Sequence, residues 1–430
     1  MLLLYLLTVA LALPNHRLFA MGSGEWTVVK MLGVACLLYS LVAALIRQRW
    51  PNPFSTVPGC FAFAYVAVSG LSSVIRDIGP QNGLGFLFKE LAVLMLLVST
   101  ILLLHSASRM RRAVLVLLGA MGVASLYVIR QFLQFRDVYS GFRTFGGVSG
   151  DPNYYSLAVV LSVPTCVLWA ISNRRPKMER LYCACCLAPI CLGFVLSGSR
   201  GGFLGLAAAL ATLWLRMELP VYKKLLGAVV VATVLAASAI FPSSPLHRIL
   251  APSRGDQESS ESRLVMWRAG MQMFAEDPVF GIGFSRIPDE LARLRGPSFN
   301  VLHNTYVEAA AGLGLAGLIT FIGLLLTTIY SLGAAVRRIR RARRETLADL
   351  ATGLQSGLVG YCVCALFLST WWYMMVWLVI SIALSILYLS NRLPRRRRKW
   401  KQRSAALAGE TLEASLPALS AEEARAAKLN

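Results

Sequence analysis

Apolar runs of about 20 residues, long enough to cross a hydrocarbon core, recur along the whole chain between short polar stretches. Roughly twelve can be read, at 1–13, 27–45, 57–75, 85–105, 113–129, 154–172, 181–198, 202–217, 225–241, 304–331, 351–369 and 371–390. The first is short. It lacks a charged leading segment and a clear small-residue cleavage site, so it reads as a helix and not as a signal peptide. The pattern predicts an all-α polytopic integral membrane protein, because every backbone group in lipid must be satisfied within its own segment.

One polar interval is long, 242–302, between the ninth and tenth spans. It opens with "PSSPLHRILAPSRGDQESSESR", whose proline and serine content reads as irregular chain. It continues "RLVMWRAGMQMFAEDP", with Leu264, Trp267, Met271 and Phe274 at helical spacing, which predicts an amphipathic helix on the outer membrane face or over the bundle. A turn follows at "EDPVFGIGF", and "IPDELARLR" reads as one more short helix. The chain thus divides into a membrane domain, 1–390, and a polybasic, loosely ordered tail, 391–430. No internal repeat stands out.

Composition sharpens this only in part. Of 430 residues, 56% are hydrophobic and 15% charged, yet the net charge is +22. Basic clusters lie at 47–49, 109–112, 173–180, 223–224, 337–344 and 395–403. If the spans alternate, all fall on one side, which the positive-inside rule makes cytoplasmic together with both termini. That placement assigns the charge to topology and to anionic lipid at the cytoplasmic face, and argues against nucleic acid. The nine cysteines include "YCACCLAPIC" at 182–191, but that stretch is apolar and holds no histidine or carboxylate, so it reads as buried thiols and no metal site. Gly312, Gly314 and Gly317 spell a dinucleotide fingerprint inside a continuous apolar run with no strand before it. Close approach of neighbouring helices is the better reading of such small residues.

Candidate chemistry collects on the opposite side. Arg143, Asp151 and Asn153 precede the sixth span in "FRTFGGVSGDPNYYSL". Arg200 sits in the hairpin "LSGSRGGF", His303 and Asn304 open the tenth span, and the long loop adds Arg263 and Arg268. Arginine's planar fork suits a phosphate-bearing lipid, and an interfacial histidine can take a proton from a hydroxyl. No Walker loop, zincin motif or acidic cluster for a nucleotide-bound metal is present. A reaction there needs a donor carrying its own activation, such as a glycan on a lipid diphosphate. A twelve-span transporter is the competing reading. It would show two similar halves and a midplane site, whereas here the ionisable residues sit at the outer rim.

Four blocks in order, "RTFGGVSGDPN", "SGSRGG", "ESRLVMWRAGMQMFAEDPVFGIG" and "HNTYVEAAAGLGLAGL", resemble the O-antigen ligase and polymerase superfamily of bacterial envelope glycosyltransferases. The resemblance implies a metal-independent, cofactor-free, inverting transfer from undecaprenyl diphosphate to an acceptor hydroxyl at the periplasmic face of the inner membrane. It suggests Arg200, with Arg143 and Arg263, for the diphosphate, and His303 as base or diphosphate contact. Asp151 and Asn153 would shape the cavity, Glu308 would orient Asn304, and Lys89 is an intramembrane cation near the outer face. Ligation onto lipid A core is slightly favoured over polymerisation onto a second lipid-linked glycan. Transfer to protein ranks lower, because no appended periplasmic domain is present.

Overall fold

A computed structural model describes residues 1–14, 27–48, 50–76, 83–135, 144, 146–217, 244–297 and 299–393. Among these residues the chain is helical, without strands. The helices, in order, are α1 (Leu2–Ala12), α2 (Val28–Ile46), α3 (Val57–Arg76), α4 (Gly83–Leu103), α5 (Ala107–Phe135), α6 (Pro152–Ile171), α7 (Lys177–Ser197) and α8 (Arg200–Arg216). They continue with α9 (Pro245–Leu250), α10 (Arg254–Glu276), α11 (Ile287–Arg295), α12 (Thr305–Arg341), α13 (Glu345–Cys364) and α14 (Met374–Asn391). Seven are long and apolar enough to cross a membrane, namely α2, α3, α5, α6, α7, α12 and α14. Every expected span coincides with a helix except 225–241, which lies outside the described residues. The expected count of twelve is therefore larger than the seven that meet length and apolarity together.

Short polar residues start these helices where the sequence places them. Asp151 with Pro152 behind it caps α6, Ser199 caps α8, and Asn304 caps α12, each side chain accepting from the first free backbone amides. The segment 242–262, expected to be irregular, departs from that expectation. Ser244 caps the short α9, and a reciprocal capping box between Ser253 and Asp256 launches α10 at Arg254, nine residues before Arg263. The pair satisfies two orphan donors at once, and that outweighs the serine content of the turn that follows.

The core is built by α6, α8, α12, α13 and α14. Here α13 packs on α6 and α8, and α12 packs on α3 and α13. Gly360 of α13 meets the backbone of Gly205 on α8 so closely that a Cβ there would lie 2.5 Å from its carbonyl oxygen. Small residues at such a crossing let two apolar helices approach where lipid offers no hydrophobic drive. By contrast α2 shows most of its surface, with Leu38, Val42, Leu45 and Ile46 exposed.

The glycines of "GLGLAG" do something other than admit a neighbouring helix. Gly314 has φ +64°, which breaks α12. The amides freed by the break, Leu315 and Ala316, donate to the carbonyls of Pro278 and Val279 at 2.8 and 3.4 Å. In return Ile282 and Gly283 donate to Ala311 and Gly312 at 2.9 and 3.0 Å. A Cβ on Gly314 would sit 2.4 Å from Val279 backbone, and one on Gly281 2.4 Å from Gly312 backbone. So the turn 277–283 splints a discontinuous helix, which is how non-helical backbone is accommodated at membrane depth.

The connecting segments divide between two ends of the bundle. At one, Arg111 pairs with Glu179, Arg174 with Glu345 and Arg175 with Glu179, which gathers the basic clusters 109–112, 173–180 and 337–344. The starts of α6, α8 and α12, the helices α9 to α11 and the link 365–373 gather at the other.

Candidate active site

The site is assembled from helix beginnings. Asp151 spends one carboxylate oxygen on the amides of Asn153 and Tyr154, at 2.6 and 3.1 Å. Asn153 in turn accepts from the Ser199 hydroxyl at 2.9 Å, which ties the start of α6 to the start of α8. Arg200 is the first residue of α8, so its direction is set by that cap. Its Nη2 donates to the Asp256 carbonyl at 3.1 Å and lies 3.8 Å from the Asp256 carboxylate.

Asp256 is the residue the sequence did not advertise. It is 2% exposed, and it takes Arg248 on one oxygen and the Ser253 amide and hydroxyl on the other. Burial would raise its pKa, but Arg248 and Ser253 more than offset this and hold the carboxyl below its usual range. Arg248 also donates to the Gly198 carbonyl at 2.6 Å, closing the ring back onto the hairpin that presents Arg200. Both were hidden in the stretch read as irregular; the Ser-x-x-Asp spacing of 253–256 was the available signal.

Arg263 lies on α10 two turns beyond Asp256, half-buried, and no ion pair reaches it among the described residues. His303 precedes the cap of α12 in a left-handed conformation, φ +51°, and its amide donates to Ser369 Oγ at 3.1 Å. Its imidazole is pushed below its ordinary pKa, first by burial and then by the Arg263 cation, with Asp151 opposing. The ring is therefore neutral at neutral pH and free to accept a proton. Three helix N-termini, of α6, α8 and α12, add partial positive charge to the same region.

The sequence-expected residues fall into three groups. Arg200, Arg263, His303, Asp151, Asn153 and Asn304 come together, although Asp151 and Asn304 are engaged as helix caps. Arg268 is exposed, five residues and so about 140° around α10 from Arg263. Arg143 lies outside the described residues. Glu308 does not orient Asn304, whose amide oxygen is held by the backbone of Tyr306 and Val307. The Glu308 carboxylate is instead flanked by Ser369, Trp371 and Lys89, and the Lys89 ammonium stands 5.8 Å from the ring centres of both Trp371 and Trp372. Among the described residues no group of three His, Cys, Asp or Glu could hold a metal ion.

A neutral imidazole can accept a proton, and guanidiniums that outnumber their carboxylates can stabilise an anion. Residues 183–322 match the O-antigen ligase family model. Three of the four blocks that carried the resemblance, those beginning at Ser197, Glu261 and His303, lie inside the match, while "RTFGGVSGDPN" precedes it. The resemblance to the O-antigen ligase superfamily is thus borne out over this part of the chain, which includes Arg200, Arg248, Asp256, Arg263 and His303. No curated protein matches the chain.

Proposed function

We propose that this protein is an O-antigen ligase-type glycosyltransferase that moves a glycan from undecaprenyl diphosphate to an acceptor hydroxyl. The observation that carries the reading is the convergence of Arg200, Arg248 and Arg263 on a region with two engaged carboxylates, beside the neutral His303. His303 takes the acceptor proton, the oxygen attacks the anomeric carbon, and the carbon–oxygen bond to the diphosphate breaks with its electron pair going to the leaving oxygen. The arginines stabilise that charge, at about 2.7–4 kcal/mol per well-placed donor. A single displacement inverts the anomeric centre. Gathering of the basic clusters at the far end supports a cytoplasmic assignment for that end and a periplasmic one for the site, in a bacterial inner membrane. Lipid A core is the favoured acceptor, and a second lipid-linked glycan would make the protein a polymerase using the same groups.

The test is transfer by purified protein in detergent with an undecaprenyl-diphosphate oligosaccharide and EDTA, offering lipid A core in one reaction and donor alone in the other. Product on lipid A core, lost in both His303→Ala and Arg200→Ala, supports ligation at this site. Chain growth with donor alone assigns polymerisation. Wild-type rates in both variants, or no transfer to either acceptor, would falsify the proposal.

A further inference from the structure

Asp256 performs two tasks with its two oxygens. A capping box asks the third residue of a helix for one acceptor, and Asp256 supplies it with Oδ2, which takes the Ser253 amide at 3.2 Å and the Ser253 hydroxyl at 2.8 Å. Oδ1 has no part in the cap. It accepts from Arg248 Nη2 and lies 3.8 Å from Arg200 Nη2. The residue is 2% exposed, so the cap that fixes Oδ2 also fixes where Oδ1 points.

The arginines are tied to each other through this carboxylate and the hairpin beside it. Arg248 donates through Nη1 to the Gly198 carbonyl at 2.6 Å and through Nη2 to Asp256. Gly198 ends α7 at φ +62°, and Arg200 opens α8 two residues later, so Arg248 grips the hairpin that presents Arg200. Arg200 Nη2 donates to the Asp256 carbonyl at 3.1 Å, an oxygen that also accepts from Ser260 Oγ at 2.9 Å. Among the described residues, Nε and Nη1 of Arg200 and Nε of Arg248 make no hydrogen bond, which leaves N–H groups for an incoming anion. A long guanidinium side chain samples many rotamers when nothing holds it, and donors fixed beforehand need no reorganisation when charge develops.

We propose, resting on the function argued above, that Asp256 is a positioning residue: its Oδ1 fixes Arg248, and Arg248 with the Asp256 carbonyl fixes Arg200, so that both guanidiniums are aimed at the departing diphosphate before the donor arrives. Asp256 touches neither donor nor acceptor in this scheme. The arginines use its charge, whereas the cap uses only an oxygen.

The two tasks come apart by substitution. Asp256→Asn keeps an oxygen for Ser253 and removes the charge from the arginines. Ser253→Ala removes the cap and leaves Oδ1 with Arg248. In full-length protein in lipid nanodiscs, Asp256→Asn is expected to lower kcat about 10²-fold with donor KM little changed, the scale of a displacement of about 1 Å. Ser253→Ala is expected to lower the unfolding midpoint and to keep kcat close to that of the wild type. Asp256→Asn added to Arg248→Met is expected to lower kcat no further than Arg248→Met alone, because the carboxylate acts through that side chain. The second readout is independent of turnover. Labelling by an arginine-directed dicarbonyl, mapped by peptide mass spectrometry, reports how firmly each guanidinium is held. Arg200 and Arg248 should label faster in Asp256→Asn and at the wild-type rate in Ser253→Ala, with Arg174 as the reference for general loosening. Wild-type kcat in Asp256→Asn, an equal loss of kcat in Ser253→Ala, additive losses in the double variant, or Arg200 labelling unmoved relative to Arg174 would overturn the assignment. If the wild type transfers nothing, the functional reading falls, while the labelling still decides whether Asp256 holds the arginines.

Discussion

Two groups of arginines in this bundle are partnered in opposite ways. Around the α6–α7 turn, Arg111 at the start of α5, Arg174 and Arg175 have carboxylate company: Arg111 and Arg175 share Glu179, and Arg174 takes Glu345. Arg175 is wholly enclosed, stacked 3.6 Å over Trp169 and donating to the Thr346 carbonyl, and burial brings its pKa down to about 10, still protonated at neutral pH. Near the start of α8, Arg200 and Arg248 crowd one carboxylate that Ser253 already claims, and among the described residues no ion pair reaches Arg263. Satisfied pairs hold a fold together; guanidiniums held in place without enough partners are organised for an anion that comes and goes.

Four substitutions can break or sharpen this contrast. The largest effect is expected from Arg175→Ala, which removes an enclosed cation with its stacking on Trp169 and its bond to the Thr346 carbonyl, while Glu179 keeps Arg111: a loss of about 3 kcal/mol in stability, read by thermal unfolding in detergent, with activity per folded molecule unchanged. Next, Arg200→Ala should leave the unfolding midpoint nearly in place and lower kcat by about 10²–10³. A large shift in unfolding with unaltered turnover would invert the assignment of the two groups.

The third is a pH effect. Base catalysis needs neutral His303, so rate falls as pH drops through a pKa that lies below the ordinary histidine value. Arg263 helps to depress that pKa, so Arg263→Gln should move the acid limb of the pH–rate profile to higher pH. An unmoved limb would separate the two residues electrostatically. The smallest effect belongs to Arg174→Ala, whose partner is shared with solvent: about 0–1 kcal/mol in stability and none in rate.

Helix positions were legible because long apolar runs have one solution in lipid; that Asp151, Ser199 and Asn304 cap three of them came from the structure. The seven helices that meet length and apolarity together leave the span number open where sequence counting gave twelve. At the site, Arg200 and His303 could be read because a cation at an otherwise apolar hairpin and an imidazole before an apolar helix are locally conspicuous. Arg248 and Asp256 could not. Their meaning lies in a contact back to Gly198, fifty residues earlier along the chain, and local composition carries no trace of it. Gly314 was conspicuous but misjudged: small residues signal close approach, and only the fold tells whether a helix or a turn approaches.

That turn has a consequence for assembly. The carbonyls that complete α12 belong to Pro278 and Val279, which leave the ribosome before Leu315 and Ala316 do. The splint is made ahead of the helix that needs it. A chain from which 277–283 is deleted would present the membrane with a helix in which the amides of Leu315 and Ala316 have lost their acceptors. The backbone bonding of the tenth expected span is thereby completed by the loop that precedes it.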